Sequence, residues 1–460
     1  MKSKTNAIRK IIAMELPLLG ILIQVAGYAL IWFRYYYPLV RLRLKFYFNG
    51  HALVLVIYFI LLLFFMATYG GFNAGYMKKA DVILSQSFSL LAVNVISYLE
   101  DSLLRNWLLP AVPLLVLTAA QIAFAVVWVG FCDRAYKRAF PPLSLSLIHG
   151  SRDIKEIMRK FGTRPDKYVI ARTIDISAGM EKVQEEILKD GRGVVLWDIP
   201  TSFRNELIKS CYANGIRIYM MPKIPDVLIK GSLQMHLFDT PLYMTREYAL
   251  TFRQRFWKRV IDVVCSLLLL IITSPFFLIT AIVIKAYDHG PVFYKQVRCT
   301  QGGREFRIIK FRSMKVDAEK DGVARLASQN DDRITPVGHF IRKVRIDELP
   351  QLINILKGEM SFIGPRPERP EIIRQYVKEM PEFVFRMKVK AGLAGYAQVY
   401  GKYNTTPYDK LKLDLTYIQN YSVWLDIKLM LLTLKILLKP ESTEGVTEGQ
   451  TTALDNNEDR

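Results

Sequence analysis

Four long apolar runs lie in the first 130 residues, at 11–33, 52–70, 82–99 and 108–130. Each is close to the ~20 residues that a helix needs to cross a bilayer. Soluble helices rarely run so far without charge, so we predict four transmembrane helices rather than a buried helical bundle. The first run is too long, and too soon followed by another, to be a cleaved signal peptide.

The basic residues beside these runs favour a cytoplasmic N-terminus, because cytoplasmic loops are enriched in lysine and arginine. Three flanking segments follow this rule through Lys2, Lys4, Arg9, Lys10, Lys78, Lys79, Arg134, Lys137 and Arg138. The loop between the first two runs departs from it with Arg34, Arg41, Arg43 and Lys45. We therefore expect both ends of the four-helix region on the cytoplasmic side.

The net charge of +21 indicates an anionic partner, which could be nucleic acid, acidic lipid or a phosphorylated substrate. The basic residues lie near the apolar runs and around acidic residues, so headgroups and phosphates explain them better than nucleic acid does. The four cysteines (Cys132, Cys211, Cys265, Cys299) form no CxxC pair, and the five histidines are scattered. A structural zinc site and a disulfide framework are therefore not expected.

Residues 142–244 alternate between short β-rich runs and helical patterns. The β-rich runs are 143–148, 168–174, 194–199 and 217–221, and the helical patterns are 151–161, 181–189 and 202–213. This alternation predicts a Rossmann-like module with a parallel sheet and crossover helices. Its first turn, His149-Gly150-Ser151-Arg152, lacks the GxGxxG pattern, so a structural or regulatory module is favoured over a dinucleotide site.

A fifth apolar run covers residues 260–284 and contains Thr273-Ser274-Pro275. Proline removes a backbone donor and clashes with the preceding turn, so we expect a sharp bend there. The Ser274 hydroxyl could bond the carbonyl that Pro275 leaves free. Hydropathy alone leaves two alternatives open, a kinked crossing helix and a re-entrant helix that returns to the same side.

The segment 342–367 has the strongest chemical signal. Asp347 and Glu348 precede Pro350 and an apolar helical pattern, which places both carboxylates at a helix N-terminus. There the helix dipole and nearby arginines stabilise carboxylates and phosphates alike. Arg366 lies in the stiff Gly364–Pro367 segment and could face an anion. Such residues can also form ordinary ion pairs, so the pattern alone leaves catalysis open.

Two further segments close the chain. Residues 421–439 are apolar except for Asp426 and for Lys428, Lys435 and Lys439, which lie on one helical stripe. Either an interfacial helix with lysines reaching the headgroups or a core helix fits this pattern. Residues 441–460 are acidic and polar and are predicted to be a disordered tail.

Seven motifs follow one another in the C-terminal part. They are 290–296 (GPVFYKQ), 310–314 (KFRSM), 332–338 (DRITPVG), 347–352 (DELPQL), 356–361 (LKGEMS), 364–367 (GPRP) and 392–399 (GLAGYAQV). Through them, residues 259–438 resemble the bacterial sugar transferases, which are monotopic polyprenyl-phosphate phosphoglycosyltransferases. With four spans and an α/β module in front, the chain is similar to the long form of this family. Four positions depart from the family pattern: Thr300 stands where the family often has glycine, Glu359 replaces a common aspartate, and Ala391 and Ala394 replace the usual proline and threonine.

The resemblance implies transfer of a hexose-1-phosphate from a UDP-sugar to undecaprenyl phosphate, with release of UMP. It implies that Asp347 is the nucleophile and that Glu348 binds Mg²⁺. The implied phosphate-binding residues are Lys310, Arg312, Arg342 and Arg366, and Asp414 and Tyr417 are candidates for acceptor or metal support. The sugar, the polysaccharide pathway and the oligomeric state stay open, although the spans could pack between copies of the chain.

The implied donor is a cytoplasmic solute, which favours the re-entrant alternative at Ser274-Pro275 and places the catalytic domain on the cytoplasmic face of a bacterial inner membrane. The expected fold is thus four transmembrane helices (1–135), a Rossmann-like module (140–250), an α+β catalytic domain (255–440) with a re-entrant helix-break-helix (260–286), and the tail (441–460). The competing hypothesis is a non-catalytic membrane scaffold or regulator of polysaccharide assembly.

Overall fold

The computed structural model describes residues 15–42, 47–190, 193–237, 239–245, 249–316, 333–401 and 405–437. The chain divides into two compact units, Met1–Met221 and Pro222–Arg460. The predicted tail at 441–460, together with Asp332 and Lys439, lies outside the described residues.

Long apolar helices form at all four N-terminal runs. They are α1 (Leu16–Ile31, extended by a π-helical turn to Val40), α2 (Phe48–Tyr69), α3 (Lys79–Arg105) and α4 (Val112–Ala139). Within the described residues, these four and one helix of the second unit are long and apolar enough to cross a membrane. The number that do cross stays a prediction.

Buried hydrogen bonds join these helices to one another. Asn94 on α3 accepts a bond from the Tyr58 hydroxyl on α2 and donates to Thr118 and Gln121 on α4, each over 2.8 Å. Gln121 and Gln24 on α1 each donate to the other's backbone carbonyl. Polar side chains of this kind hold helices together in an apolar surrounding, where unpaired polar groups are costly. The four helices therefore form one bundle.

The α/β prediction for the following residues is confirmed. Four strands, β1 (Leu143–His149), β2 (Tyr168–Asp175), β3 (Gly193–Trp197) and β4 (Arg217–Met220), form a parallel sheet in the order β2-β1-β3-β4. The crossover helices are α5 (Lys155–Gly162), α6 (Met180–Asp190) and α7 (Thr201–Ala213). Separate apolar clusters cover the two faces of the sheet, as parallel sheets require.

The first turn of this sheet is closed by its own backbone. Open α/β sheets bind nucleotides where the strand order reverses, which here is between β1 and β3. At that place the Gly150 N–H donates to the Trp197 carbonyl over 3.2 Å. A Cβ atom at position 150 would lie 2.4 Å from the Asp198 carbonyl oxygen, so only glycine fits. The first turn is therefore tied by its backbone to the end of β3.

The second unit is an α+β arrangement of helices and small two-stranded sheets. Its strands are β5 (Leu233–Leu237), β6 (Thr240–Met244), β7 (Phe293–Cys299), β8 (Glu305–Phe311), β9 (Ser361–Ile363) and β10 (Gly392–Ala394). Its helices are α8 (Ile224–Lys230), α9 (Phe252–Asp288), α10 (Pro336–Lys343), α11 (Gln351–Lys357), α12 (Pro370–Glu379), α13 (Tyr396–Tyr400), α14 (Pro407–Gln419) and α15 (Val423–Leu437). The pairs β5–β6 and β7–β8 are antiparallel, and β9–β10 is parallel.

A large apolar core organises this unit. It includes Leu352 and Ile355 on α11, Leu415 on α14 and Leu429 on α15. Residues 222–250 contribute Ile224, Val227 and Leu250 to the same core, although the sequence placed them with the α/β module. The domain limits given above stay predictions.

The helix α9 continues through Pro275, so the predicted break is not a gap between two helices. Pro275 has no N–H to offer the carbonyl of Ile271, four residues earlier. The Ser274 hydroxyl donates to that carbonyl over 2.8 Å, and the Thr273 hydroxyl donates to Leu269 over 2.6 Å. The predicted role of the Ser274 hydroxyl is confirmed, and these bonds let the helix pass the proline.

Both ends of α9 are attached to the same folded unit. Near its start, the buried Lys258 ammonium donates to the Ile363 carbonyl over 2.8 Å, to the Tyr417 hydroxyl over 3.1 Å and to Asp426 over 2.7 Å. Near its end, Ile284 packs in an apolar cluster with Phe311 and Ile341. The apolar residues between these ends are mostly exposed: Leu267, Leu268, Ile271, Ile272, Phe276, Leu278, Ile279 and Ile282.

The helix α15 packs its charged residues inward. Asp426 and Lys435 are buried, with 3% and 4% of their surfaces exposed. They share one face with Leu429 and Leu432, at helical spacing. Of the two alternatives left open for this segment, the burial of Lys435 favours the core helix over the interfacial one.

Candidate active site

The β7–β8 hairpin is held against α11 by one buried side chain, Asn354. Its Oδ1 accepts from the Ile309 N–H over 3.0 Å, and its Nδ2 donates to the Arg307 carbonyl over 2.9 Å. Asn354 thus pairs with the strand β8 as a neighbouring strand would. This contact places Lys310, the next residue of β8, beside the turn that leads into α11.

That turn carries the two carboxylates. Arg345 has a left-handed backbone (φ 59°) and ends the connection from α10, and a 3₁₀ turn then covers Ile346–Glu348 directly before α11. The predicted position of Asp347 and Glu348 at a helix start is confirmed. Arg259 on α9 donates to the Ile355 and Leu356 carbonyls, both over 2.6 Å, and so caps the other end of α11.

Two segments converge on Glu348. The Lys310 ammonium from β8 and the Arg366 guanidinium from the loop after β9 both donate to Glu348 Oε1, each over 2.9 Å. Burial raises the pKa of the Glu348 carboxyl, but the positive charges of Lys310 and Arg366 outweigh burial and lower that pKa overall. Glu348 is therefore a carboxylate locked between two cations.

Asp347 has a different environment. Its side chain is buried, with 8% of its surface exposed, and its Oδ1 has no hydrogen-bond partner among the described residues. Burial, assisted by the negative charge of Glu348, raises the pKa of Asp347 to about 6, although Lys310 and Arg342 oppose this rise. Asp347 is thus ionised at neutral pH and has a free oxygen.

Arg342 offers a second unsatisfied group near Asp347. Its positive charge acts on the Asp347 carboxyl, and its buried Nη1 finds no acceptor among the described residues. Buried polar atoms in native proteins are almost always paired, so unpaired ones at one place indicate a missing ligand. A phosphate oxygen would satisfy Arg342.

Three other predicted residues lie elsewhere in the unit. Arg312 is ion-paired with Asp288 at the end of α9. Asp414 is buried and pairs with Arg386, and the Tyr417 hydroxyl donates to Asp426 over 2.7 Å. The contacts of the described residues thus unite Lys310, Asp347, Glu348, Arg342 and Arg366, and they do not bring Arg312, Asp414 or Tyr417 to the carboxylates.

The sequence-based reasoning did not find Arg386 or Lys258, although both are buried and make several polar contacts. The available signal was a charged residue inside an apolar segment, as at Phe383–Val389 around Arg386. A buried charge needs a partner, so such a residue predicts a network even when the partner is distant in sequence.

The carboxylate pair fits a magnesium ion only in combination with a substrate. Mg²⁺ is commonly bound by one or two protein carboxylates together with substrate phosphates and water. Glu348 Oε1 is already paired with Lys310 and Arg366, so an ion held by Glu348 would need substrate phosphate oxygens among its other ligands. The described residues contain no group of three or more acidic, histidine or cysteine side chains that could hold a metal without a substrate.

Two departures from the family pattern contact each other beside this site. The buried Thr300 hydroxyl donates to the Glu359 carbonyl over 2.8 Å and accepts from the Ala391 N–H over 3.2 Å. Proline, the usual residue at position 391, has no N–H to give. Glu359, a third departure, accepts from Asn354 over 2.6 Å and so supports the residue that joins α11 to β8.

Comparisons with known proteins indicate the family of the C-terminal part of the chain. Residues 253–440 match the family described as Bacterial sugar transferase. A UDP-N-acetylgalactosamine-undecaprenyl-phosphate N-acetylgalactosaminephosphotransferase from Aeromonas hydrophila is 43% identical over 50% of this chain and 54% of its own length. A UDP-glucose:undecaprenyl-phosphate glucose-1-phosphate transferase from Escherichia coli is 40% identical over 46% and 47%, respectively.

The chain spans about half the length of these two curated relatives. A relative from Caulobacter vibrioides, also named a UDP-glucose:undecaprenyl-phosphate glucose-1-phosphate transferase, is 39% identical over 40% of this chain and 71% of its own length. In each case the shared part is too long and too similar to arise by chance. The chain belongs to the bacterial sugar transferase family.

Proposed function

We propose that the chain transfers a hexose-1-phosphate from a UDP-sugar to undecaprenyl phosphate and releases UMP, through a covalent aspartyl-phosphosugar intermediate. Relatives of this chain are named for this transfer, with glucose in some and N-acetylgalactosamine in another. The product would start a repeat unit of an exopolysaccharide, capsule or O-antigen. Because the relatives differ in sugar, the identity of the hexose is left open.

One contrast supports the choice of nucleophile. Glu348 is fixed by Lys310 and Arg366, whereas Asp347 Oδ1 is buried, ionised at neutral pH and unpaired among the described residues. A desolvated carboxylate without hydrogen-bond donors is a stronger nucleophile than one held by two cations. The nucleophile is therefore Asp347 rather than its neighbour.

In the first step, Asp347 Oδ1 attacks the β-phosphorus of the UDP-sugar. A bond forms between this oxygen and the phosphorus, and the bond from the phosphorus to the bridging oxygen breaks. The bridging oxygen keeps the electron pair and leaves with UMP. Arg342 and the Lys310–Arg366 pair offset the charge that accumulates on the phosphoryl oxygens.

In the second step, a phosphate oxygen of undecaprenyl phosphate attacks the same phosphorus. The Asp347 carboxylate leaves, and a polyprenyl diphosphosugar forms. Mg²⁺, when bound at Glu348 with the substrate phosphates, would neutralise the diphosphate charge. Two displacements at one carboxylate need only one anion site, which suits a soluble donor and a lipid acceptor that cannot be bound together easily.

We also propose that α9 is re-entrant and that the catalytic unit faces the cytoplasm, with the unit spanning 255–440 and α1–α4 crossing the inner membrane. The first part of α9 contacts Ile363 and Asp426, and its last part packs on Phe311 and Ile341 of the same unit. A bilayer between the two ends of α9 would require this unit to lie on both sides. The exposed apolar middle of α9 would instead enter one leaflet.

A scaffold or regulatory role is the second candidate function. The α/β module, whose first turn is closed, is the feature that favours it, because this module offers no chemistry of its own. Incubation of the full chain with a panel of UDP-sugars and undecaprenyl phosphate separates the two candidates. A transferase releases UMP with at least one sugar, and a scaffold releases none.

Asp347→Asn abolishes turnover, because an amide oxygen is too weak a nucleophile to displace UMP. Without acceptor, the unaltered chain releases at most one UMP per active site and retains the radiolabelled β-phosphate of the donor on the protein. The variant shows neither. Asp153→Asn in the α/β module, where the side chain is exposed, preserves both signals. Retention of label by Asp347→Asn would refute the assignment.

The rate of this first UMP release falls about tenfold per pH unit below about pH 6, because protonation removes the Asp347 nucleophile whose pKa is raised to about 6. Rapid-quench kinetics without acceptor measures it, which avoids the titration of the acceptor phosphate. Arg342→Gln moves the decline to higher pH, because the lost cation had lowered the pKa of Asp347. A decline that stays near pH 4 in both proteins would contradict the environment described for Asp347.

Glu348→Gln raises the Mg²⁺ concentration for half-maximal UMP release by at least about tenfold, the lower range for altered metal environments. The amide also loses the charge that Lys310 and Arg366 compensate. Glu379→Gln at the exposed end of α12 is the matched control and leaves the titration unchanged. Coincident Mg²⁺ titrations for Glu348→Gln and the unaltered chain would remove Glu348 from the metal site.

Cysteines placed at the two ends of α9 test the proposal that this helix is re-entrant. In a cysteine-free background, Arg253→Cys and His289→Cys both react with a membrane-impermeant maleimide in inverted vesicles and are protected in right-side-out vesicles. Trp107→Cys, between α3 and α4 and 75% exposed, shows the opposite pattern. Opposite labelling of positions 253 and 289 would mean that α9 crosses the membrane.

A further inference from the structure

The loop that carries Arg366 is held by its backbone carbonyls. Each of the four consecutive residues Pro365–Glu368 has its carbonyl bonded to a donor from outside the loop, and the four donors come from three segments. The donors are the Gly392 N–H at 2.9 Å, Arg386 Nη2 at 3.0 Å, Arg298 Nη1 at 3.2 Å and the Cys299 N–H at 3.0 Å, in the order of the loop. The backbone of the loop is thus fixed by these four bonds, while the Arg366 side chain bonds Glu348.

Arg386 makes the contact nearest to the chemistry, since it bonds the carbonyl of Arg366 itself. Its guanidinium is buried, with 6% of the residue exposed, and donates through Nε and Nη2 to Asp414 Oδ2 over 3.0 and 2.8 Å. Asp414 lies on α14 in the core and is 1% exposed. Its carboxylate therefore fixes the guanidinium in one orientation.

We infer that Arg386 is a positioning residue for transfer, held by Asp414, that sets the place of the Arg366 guanidinium against Glu348. The inference rests on the proposed function. The chain of contacts runs from Asp414 to Arg386, then to the Arg366 carbonyl, and from the Arg366 side chain to Glu348 Oε1. It also gives Asp414 a role other than the acceptor or metal support predicted from sequence.

Only arginine fits this position. The guanidinium has five donors in a planar fork, so it can bond a carboxylate and a carbonyl in fixed directions at once. A lysine ammonium is a single point of charge and lacks this fixed fork. Arg386→Lys therefore keeps the charge and the fold but loosens the loop, and Arg386→Gln removes the charge as well.

A double-mutant cycle on the first UMP release separates positioning from general stability. Arg386→Gln lowers kcat by about 100-fold, as displacements of about 1 Å can, with little change in KM. In an Arg366→Met background the same change lowers kcat by less than about twofold, because its target is already gone. Arg386→Lys gives an intermediate loss. Equal losses in both backgrounds would show that Arg386 does not act through Arg366.

Hydrogen–deuterium exchange gives a readout that needs no turnover. Arg386→Gln speeds exchange in the peptide 361–370 and leaves the peptide 351–357 of α11 unchanged. Lys412→Gln is the matched control, because Lys412 forms a buried ion pair with Asp409 on the same helix as Asp414. It changes neither peptide. Faster exchange in both peptides, or in neither, would overturn the positioning role.

UMP release and hydrogen–deuterium exchange together distinguish failure of the proposed function from failure of the positioning role. If the unaltered chain releases no UMP with any UDP-sugar, the proposed function fails, and the exchange pattern still decides whether Arg386 holds the loop. If UMP is released and the cycle is additive, the function stands and the positioning role fails.

Discussion

Two carboxylates on consecutive residues repel each other, and the site is arranged around this repulsion. In water the cost is small, but Asp347 and Glu348 are largely shielded from solvent, where charges interact more strongly. Lys310 and Arg366 come from separate segments and both neutralise Glu348. This pairing lets Asp347 remain ionised at neutral pH without a bonded cation of its own. Asp347 and Glu348 therefore differ because Lys310 and Arg366 donate hydrogen bonds to Glu348 and not to Asp347.

Contacts outside the site explain how Lys310 of the β7–β8 hairpin and Arg366 of a distant loop reach the same oxygen, Glu348 Oε1. Asn354 joins β8 to α11, and Arg259 of α9 caps the far end of α11. The buried Lys258 connects α9 to the strand before the Arg366 loop and to α15. The long apolar helix α9 is thus part of the framework that supports the site, and a shift of α9 would move both groups of contacts.

The sequence predicted the structure correctly where a local pattern of residues determines it. Alternating β-rich and helical runs predicted the parallel sheet, and the Ser274 hydroxyl was predicted to bond a carbonyl beside Pro275. It was insufficient where partners are far apart in the chain. The pairs Arg386–Asp414 and Lys258–Asp426 join residues 28 and 168 positions apart, and no periodicity records such a pairing. For the same reason Lys435 seemed suited to a membrane surface, although its helix turns that face into the core.

The contact between Thr300 and Ala391 limits which substitutions these two positions can accept during evolution. The Thr300 hydroxyl donates to the Glu359 carbonyl and accepts from the Ala391 N–H, and the accepted bond needs both a hydroxyl at position 300 and an N–H at position 391. A proline at 391 would leave the hydroxyl without its donor, and a glycine at 300 would leave the Ala391 amide without its acceptor. The two positions are therefore expected to co-vary among descendants of this sequence, with either the threonine–alanine or the glycine–proline combination inherited as a unit.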